Sequence, residues 1–123
     1  MLKLISLLAL VMILETCWSF SNKNMPHTNS RPMRLVKAVS ILAMATIVVN
    51  NYGNEDVMTY VIAMIVLALC TTYHLYSVVR YRPTWPEDVS KWLLVNSMAA
   101  IVLKTVLVVM TGIYAFAQAQ TVA

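Results

Sequence analysis

A chain of 123 residues that is 60% hydrophobic and only 11% charged has room for one domain. It is too apolar to be a soluble one, because soluble chains run nearer half apolar and a quarter charged. The net charge of +4 gathers in two short segments between apolar blocks, a pattern that points to membrane orientation and contact with anionic lipid. Nucleic acid is not an expected partner, since no basic groove or aromatic–basic interleaving is present.

The first block runs from Met1 to Phe20. Lys3 precedes an apolar run from Leu4 to Leu14, followed by Glu15, Thr16, Cys17 and Trp18. A run this short after one lysine has the form of a signal peptide, with Cys17 and Ser19 small enough for cleavage before Phe20. The competing reading is an uncleaved helix over 2–20, spanning with its N-terminus outside or lying in the interface. Residues 21–34 are polar, carry two prolines and read as a basic linker.

The second block, about 35–51, is short against the ~20 residues that a span needs. Lys37 near its start is expected to snorkel to the headgroups. Asn50, Asn51, Tyr52 and Gly53 end the block, with Gly53 suited to a left-handed position after the helix. Asn54, Glu55 and Asp56 then suit the N-terminus of a third block, 57–79, where carboxylates meet the positive end of the helix dipole. The loop is so short that blocks two and three must form an antiparallel hairpin. Residues 80–91 make the second basic segment, in which Thr84 and Glu87 have capping-box spacing. The last helix is expected over about 85–117, longer than the ~30 Å hydrocarbon core requires. Residues 118–123 form a short uncharged tail. The expected fold is therefore an all-α integral membrane protein with three transmembrane helices in a 35–117 bundle, plus an N-terminal helix that is a signal peptide or a fourth membrane helix.

Lys23, Arg31, Arg34 and Lys37 lie in the first basic segment and Arg80, Arg82 and Lys91 in the second, whereas loop 50–56 carries only Glu55 and Asp56. The positive-inside rule places segments 21–37 and 80–91 in the cytoplasm, and loop 50–56 and the C-terminus outside. A cleaved signal peptide would reverse this arrangement. The charge rule is preferred because it draws on three segments rather than one. Tyr73, Tyr76, Tyr81, Trp85 and Trp92 would then form an aromatic belt at the cytoplasmic headgroups.

Among residues that could carry chemistry, Lys104 stands out. It lies about a dozen residues inside the last helix, where a lysine costs ~2.5–3.5 kcal/mol on insertion scales and so should face protein or water. Ser97, Lys104 and Thr111 recur every seven residues and share a stripe with Ala100, Ile101, Val108 and Ala115, a small and polar seam of the kind that packs helices in lipid. In the third block Thr59, Ala63, Val66, Cys70, His74 and Ser77 form the stripe expected to meet the last helix. Glu15, the only acidic residue inside an apolar block, would lie at a depth similar to that of His74, and a Glu15–His74 contact with Lys104 reaching towards it would resemble a proton relay. The bland alternatives are a snorkelling or paired Lys104, a hydrogen-bonded packing histidine, and a Glu15 that belongs to a signal peptide or the interface. Cys70 and His74 are i, i+4, but no further Cys or His ligand stands near them, so no metal is expected. With Cys17 ending one block and Cys70 inside another, no disulfide framework is expected either. The nine methionines read as core filler.

No nucleophile elbow, phosphate loop or HExxH motif is present, so neither an enzyme nor a cofactor is expected. The chain is expected to be a small polytopic membrane protein with a structural or assembly role. Its partners would be the bilayer and either copies of itself or a larger membrane complex, as for a virion membrane protein or an accessory subunit. The alternative is a pore-former of holin or viroporin type: a start at Met33 would leave a three-span protein that resembles holin organisation, without the charged tail that holins commonly carry. A small proton-coupled transporter is the third reading. Glu15 is similar to the glutamate in the first helix of four-helix multidrug exporters, although those are glycine-rich and this chain has only Gly53 and Gly112.

Overall fold

The computed structural model describes residues 2–21, 31–53, 56–81 and 87–122. They form four helices: α1 (Leu2–Ser21), α2 (Arg31–Asn51), α3 (Val57–Tyr81) and α4 (Glu87–Val122). Neighbouring helices pack in a ring, α1 on α2, α2 on α3, α3 on α4 and α4 back on α1. The fold is all-α, and three helices, α2, α3 and α4, are long and apolar enough to cross a membrane.

Two boundaries differ from the sequence expectation. The second helix starts at Arg31, inside the expected linker, and has 21 residues. Pro32 lies in its first turn, where the missing N–H is not needed for helix hydrogen bonding. The shortfall against a full span therefore disappears. The last helix runs to Val122 rather than Ala117 and has 36 residues, about 54 Å at ~1.5 Å per residue. Its end, AFAQAQTV, is rich in good helix formers and has no Gly or Pro. Polarity there marks a likeness to water, not the end of the helix. The expected start near Trp85 and the Thr84–Glu87 capping box lie outside the described residues.

The α2–α3 turn is held by side chains. Tyr52 N–H bonds back to the carbonyls of Val48 and Val49, and Gly53 N–H to that of Asn50, 3.3 Å away. Such tightening of the last turn satisfies carbonyls that a helix end leaves unpaired. Gly53 therefore does not take the expected left-handed conformation. The Asn50 amide closes the turn, donating through Nδ2 to the Asp56 carbonyl at 2.9 Å and accepting Asp56 N–H on Oδ1 at 3.1 Å. Asp56, just before α3, also accepts Thr59 Oγ1–H on its carboxylate at 2.9 Å.

The core follows helical spacing. Ile5, Ala9 and Met12 of α1 pack with Met44 and Ile47 of α2, Tyr60 and Leu67 of α3 and Leu107 of α4. Small residues let the backbones approach, as expected for helices in lipid. At Gly112 a Cβ would stand 2.8 Å from Met64 Sδ. The outward surface is apolar, with Leu4, Leu14, Leu42, Val49, Leu69, Val95 and Phe116 all exposed.

Candidate functional site

Three contacts fix the register of the helices at the turn end. Asn51 Nδ2 donates to Ser6 Oγ at 2.8 Å, tying α2 to α1. Tyr60 O–H donates to Asn51 Oδ1, tying α3 to α2. The Tyr60 ring meets Tyr114 of α4 edge-on, with centroids 5.5 Å apart. Ser6, Asn51, Tyr60 and Tyr114 thus share one level, and the helices run alternately up and down from it. The N-terminus of α1, the α2–α3 turn and the C-terminal part of α4 share this end of the bundle. Exposed Arg31, Arg34, Arg80 and Lys91 belong to the opposite end.

Counting from the shared level places the charged residues. Glu15 lies nine residues along α1 from Ser6 and Lys104 ten residues before Tyr114, so both stand ~14–15 Å up the bundle at ~1.5 Å per residue. Their helices are neighbours, and each is the other's leading charge partner. Cys70, ten residues beyond Tyr60, shares this level as a buried free thiol. Lys37 and His74 lie fourteen residues from Asn51 and Tyr60, ~21 Å up on the adjacent helices α2 and α3. Both lysines act on His74, and Lys37 also interacts with Glu15.

All four helices therefore contribute to one buried charged layer. Lys37 is 2% exposed, Lys104 3% and His74 7%, while Glu15 is half-buried. Ser40, Ser77 and Ser97 are also buried, on α2, α3 and α4. Burial of such groups is expensive in lipid, and an inward, mutually paired arrangement is the usual way of limiting the cost.

The sequence-derived candidates are placed as follows. Ser97, Lys104 and Thr111 share the buried face of α4 with Ala100, Ile101 and Ala115, while Val108 is half-buried. The expected seam is therefore a packing face inside the chain. Thr111 is set apart chemically, because its hydroxyl bonds the Leu107 carbonyl of its own helix at 2.7 Å. Thr16 and Thr71, also buried, bond back in the same way. Such back-bonding leaves these hydroxyls little to offer a ligand.

On α3, Ala63, Cys70, His74 and Ser77 are buried as expected. Thr59 and Val66, with Ala63, instead line a shallow groove between α2 and α3. Glu15 stands ~7.5 Å short of the His74 level at ~1.5 Å per residue, and its leading charge neighbour is Lys104 instead of His74. Nor is His74 a hydrogen-bonded packing residue at both nitrogens. Its buried Nδ1 has no hydrogen-bond partner among the described residues. Cys17 is exposed and Cys70 buried, both as free thiols.

Lys37 corrects the sequence reading most. It points into the bundle instead of snorkelling, because α2 starts earlier than expected and the residue lies almost two turns inside it. Asn51 and Tyr60 were also missed as partners. A polar residue at a helix end looks like a cap until its long-range neighbours are known. At the basic end Arg80 Nη1 donates to Tyr76 O–H at 2.6 Å, and Tyr73 packs beside Tyr76. The side chains of Tyr81, Trp85 and Trp92 lie outside the described residues.

No family model matches the chain, and no characterised protein or solved structure compared with it does so either.

Proposed function

We propose that this is a small polytopic membrane protein with a non-catalytic structural or assembly role, packing as an accessory subunit of a membrane complex or against copies of itself. The observation that carries this reading is the division of the surface. Lys37, His74 and Lys104, the charged and titratable side chains deep in α2, α3 and α4, turn inward, and the outward face is dominated by apolar side chains, with a groove of about 270 Å³ between α2 and α3. Leu42, Ala43, Thr46, Ile62 and Ala63 line it, a mixture of small and branched residues suited to the close approach of another helix. Thr46 and Thr59 spend their hydroxyls inside the chain, on Leu42 and Asp56, which leaves the groove apolar in character.

In this proposal α1 stays with the mature protein as a fourth membrane helix, supported by the burial of Ile5, Ala9 and Met12 in the common core. The basic end faces the cytoplasm, supported by the gathering of Arg31, Arg34, Arg80 and Lys91 at one end of the bundle. A pore of holin or viroporin type would have to form between chains, because Ile47, Tyr60, Leu67 and Leu107 are fully buried in the turn-side half of the single bundle.

Native-membrane extraction followed by single-molecule photobleaching and co-purification tests the assembly role. The expected result is a complex larger than one copy, which Thr46→Trp, by filling the groove from its exposed rim, reduces to a monomer of unchanged helicity. A wild-type protein that is monomeric and partnerless in its native membrane would sink the proposal. Potential collapse on expression would favour the pore, and loss of proton-driven uptake in Glu15→Gln would favour the transporter.

A further inference from the structure

The α1 helix is held differently along its length. Its contribution to the common core, Ile5, Ala9 and Met12, lies wholly on the turn side of Glu15, and Ser6 adds the bond to Asn51 there. From Glu15 onward, Thr16 is the buried side chain among those described on α1, and its hydroxyl is spent on the Met12 carbonyl of its own helix. Leu14 and Cys17, on either side, are exposed. Glu15 itself is half-buried, and the charged groups that act on it are Lys104 of α4 first and Lys37 of α2 second. On α3, Cys70 shares its level and His74 stands ~7.5 Å further along at ~1.5 Å per residue.

We propose that protonation of Glu15 releases the basic-side half of α1 from the bundle, which gives the chain a proton-operated hinge beyond Met12. An ionised carboxylate turned towards hydrocarbon carries a large cost, so ionised Glu15 keeps this half of α1 facing Lys104. Proton binding removes the constraint in two ways. The neutral carboxyl can face lipid at far lower cost, and it no longer offsets the ammonium of Lys104, which is 3% exposed. The turn-side half stays in place through Ile5, Ala9, Met12 and the Ser6–Asn51 bond, none of which titrates. Release exchanges the bundle for hydrocarbon, which tolerates only the neutral carboxyl, so acid favours the released arrangement and alkali reverses it. A charge gained on His74 would act the other way, strengthening the hold on an ionised Glu15.

Pulsed electron paramagnetic resonance on the full-length protein in liposomes tests this. One spin label sits on the native Cys17 and a second is introduced by Thr72→Cys at an exposed position of α3, with Cys70→Ala so that only two thiols react. The distance between the labels is expected to lengthen reversibly on acidification. Infrared difference spectra should show a carboxyl gaining its proton over the same pH range. Glu15→Gln should give the long distance at every pH and lose that infrared band, and His74→Gln should leave the response in place. If Glu15→Gln fails to fold, the pH series with Glu15 intact still decides. A distance that does not change with pH, or that still lengthens on acidification in folded Glu15→Gln, would overturn the proposal. The inference rests on α1 staying with the mature protein, and its removal would show as a missing Cys17 label, distinct from an unchanging distance.

Discussion

The two ends of the bundle solve the same problem in opposite ways. At the turn end, polar groups are neutral and matched: Ser6, Asn51 and Tyr60 form a chain of hydrogen bonds that ties three helices, and Tyr114 adds the fourth through ring packing. Nearer the basic end, Glu15, Lys37, His74 and Lys104 are charged or titratable, and the buried Nδ1 of His74 meets no hydrogen-bond partner among the described residues. A matched neutral network fixes geometry at modest cost. A buried layer of charged and titratable groups costs more.

Substitutions can break each half of this contrast. The largest effect is expected for Glu15→Gln, which leaves two buried lysines without their carboxylate. Breaking a buried ion pair typically costs about 3–5 kcal/mol, and the half-buried position of Glu15 places it towards the lower figure. Reversible unfolding in mixed micelles measures it. Asn51→Leu comes next, because it strands both Ser6 Oγ and Tyr60 O–H. A loss of about 1–2 kcal/mol is expected from two hydrogen bonds in a membrane bundle. Tyr60→Phe removes only one of these bonds and keeps the ring against Tyr114, so about 0.6 kcal/mol is expected in the same assay. Thr111→Val should change stability by less than ~0.5 kcal/mol, because the lost hydroxyl bonds only its own helix. A large effect at Thr111 would show that the α4 seam works through its hydroxyls and not through its shape.

Much of the fold could be read from local pattern. The hairpin of α2 and α3 followed from a short loop between apolar runs, and the buried face of α4 from the heptad spacing of Ser97, Lys104 and Thr111. Counting turns puts Glu15 and His74 at a similar depth with Lys104 reaching towards them, whereas in the structure Glu15 is level with Lys104 and His74 stands ~7.5 Å further along. What escaped was information that local pattern does not carry. Lys37 looked like a snorkelling residue because polar residues before Leu35 suggested a linker, whereas Pro32 fits a first turn and moves the helix start back to Arg31. Asn51 looked like a helix terminator, and its bonds to Ser6 and Tyr60 exist only once three helices pack. That Glu15 is level with Lys104 and ~7.5 Å short of His74 depends on how the helices are offset along the bundle, which no periodicity within one helix encodes.

The central claim is that α1 is part of the bundle and sets Glu15 beside Lys104. A double-mutant cycle on the stability of the full-length protein, with Glu15→Gln and Lys104→Met singly and together, tests it most directly. The account predicts a coupling energy of at least about 1 kcal/mol, since groups within one ion-pair network couple by ~0.5–3 kcal/mol. Strictly additive effects, or a Glu15→Gln substitution with no effect at all, would contradict it.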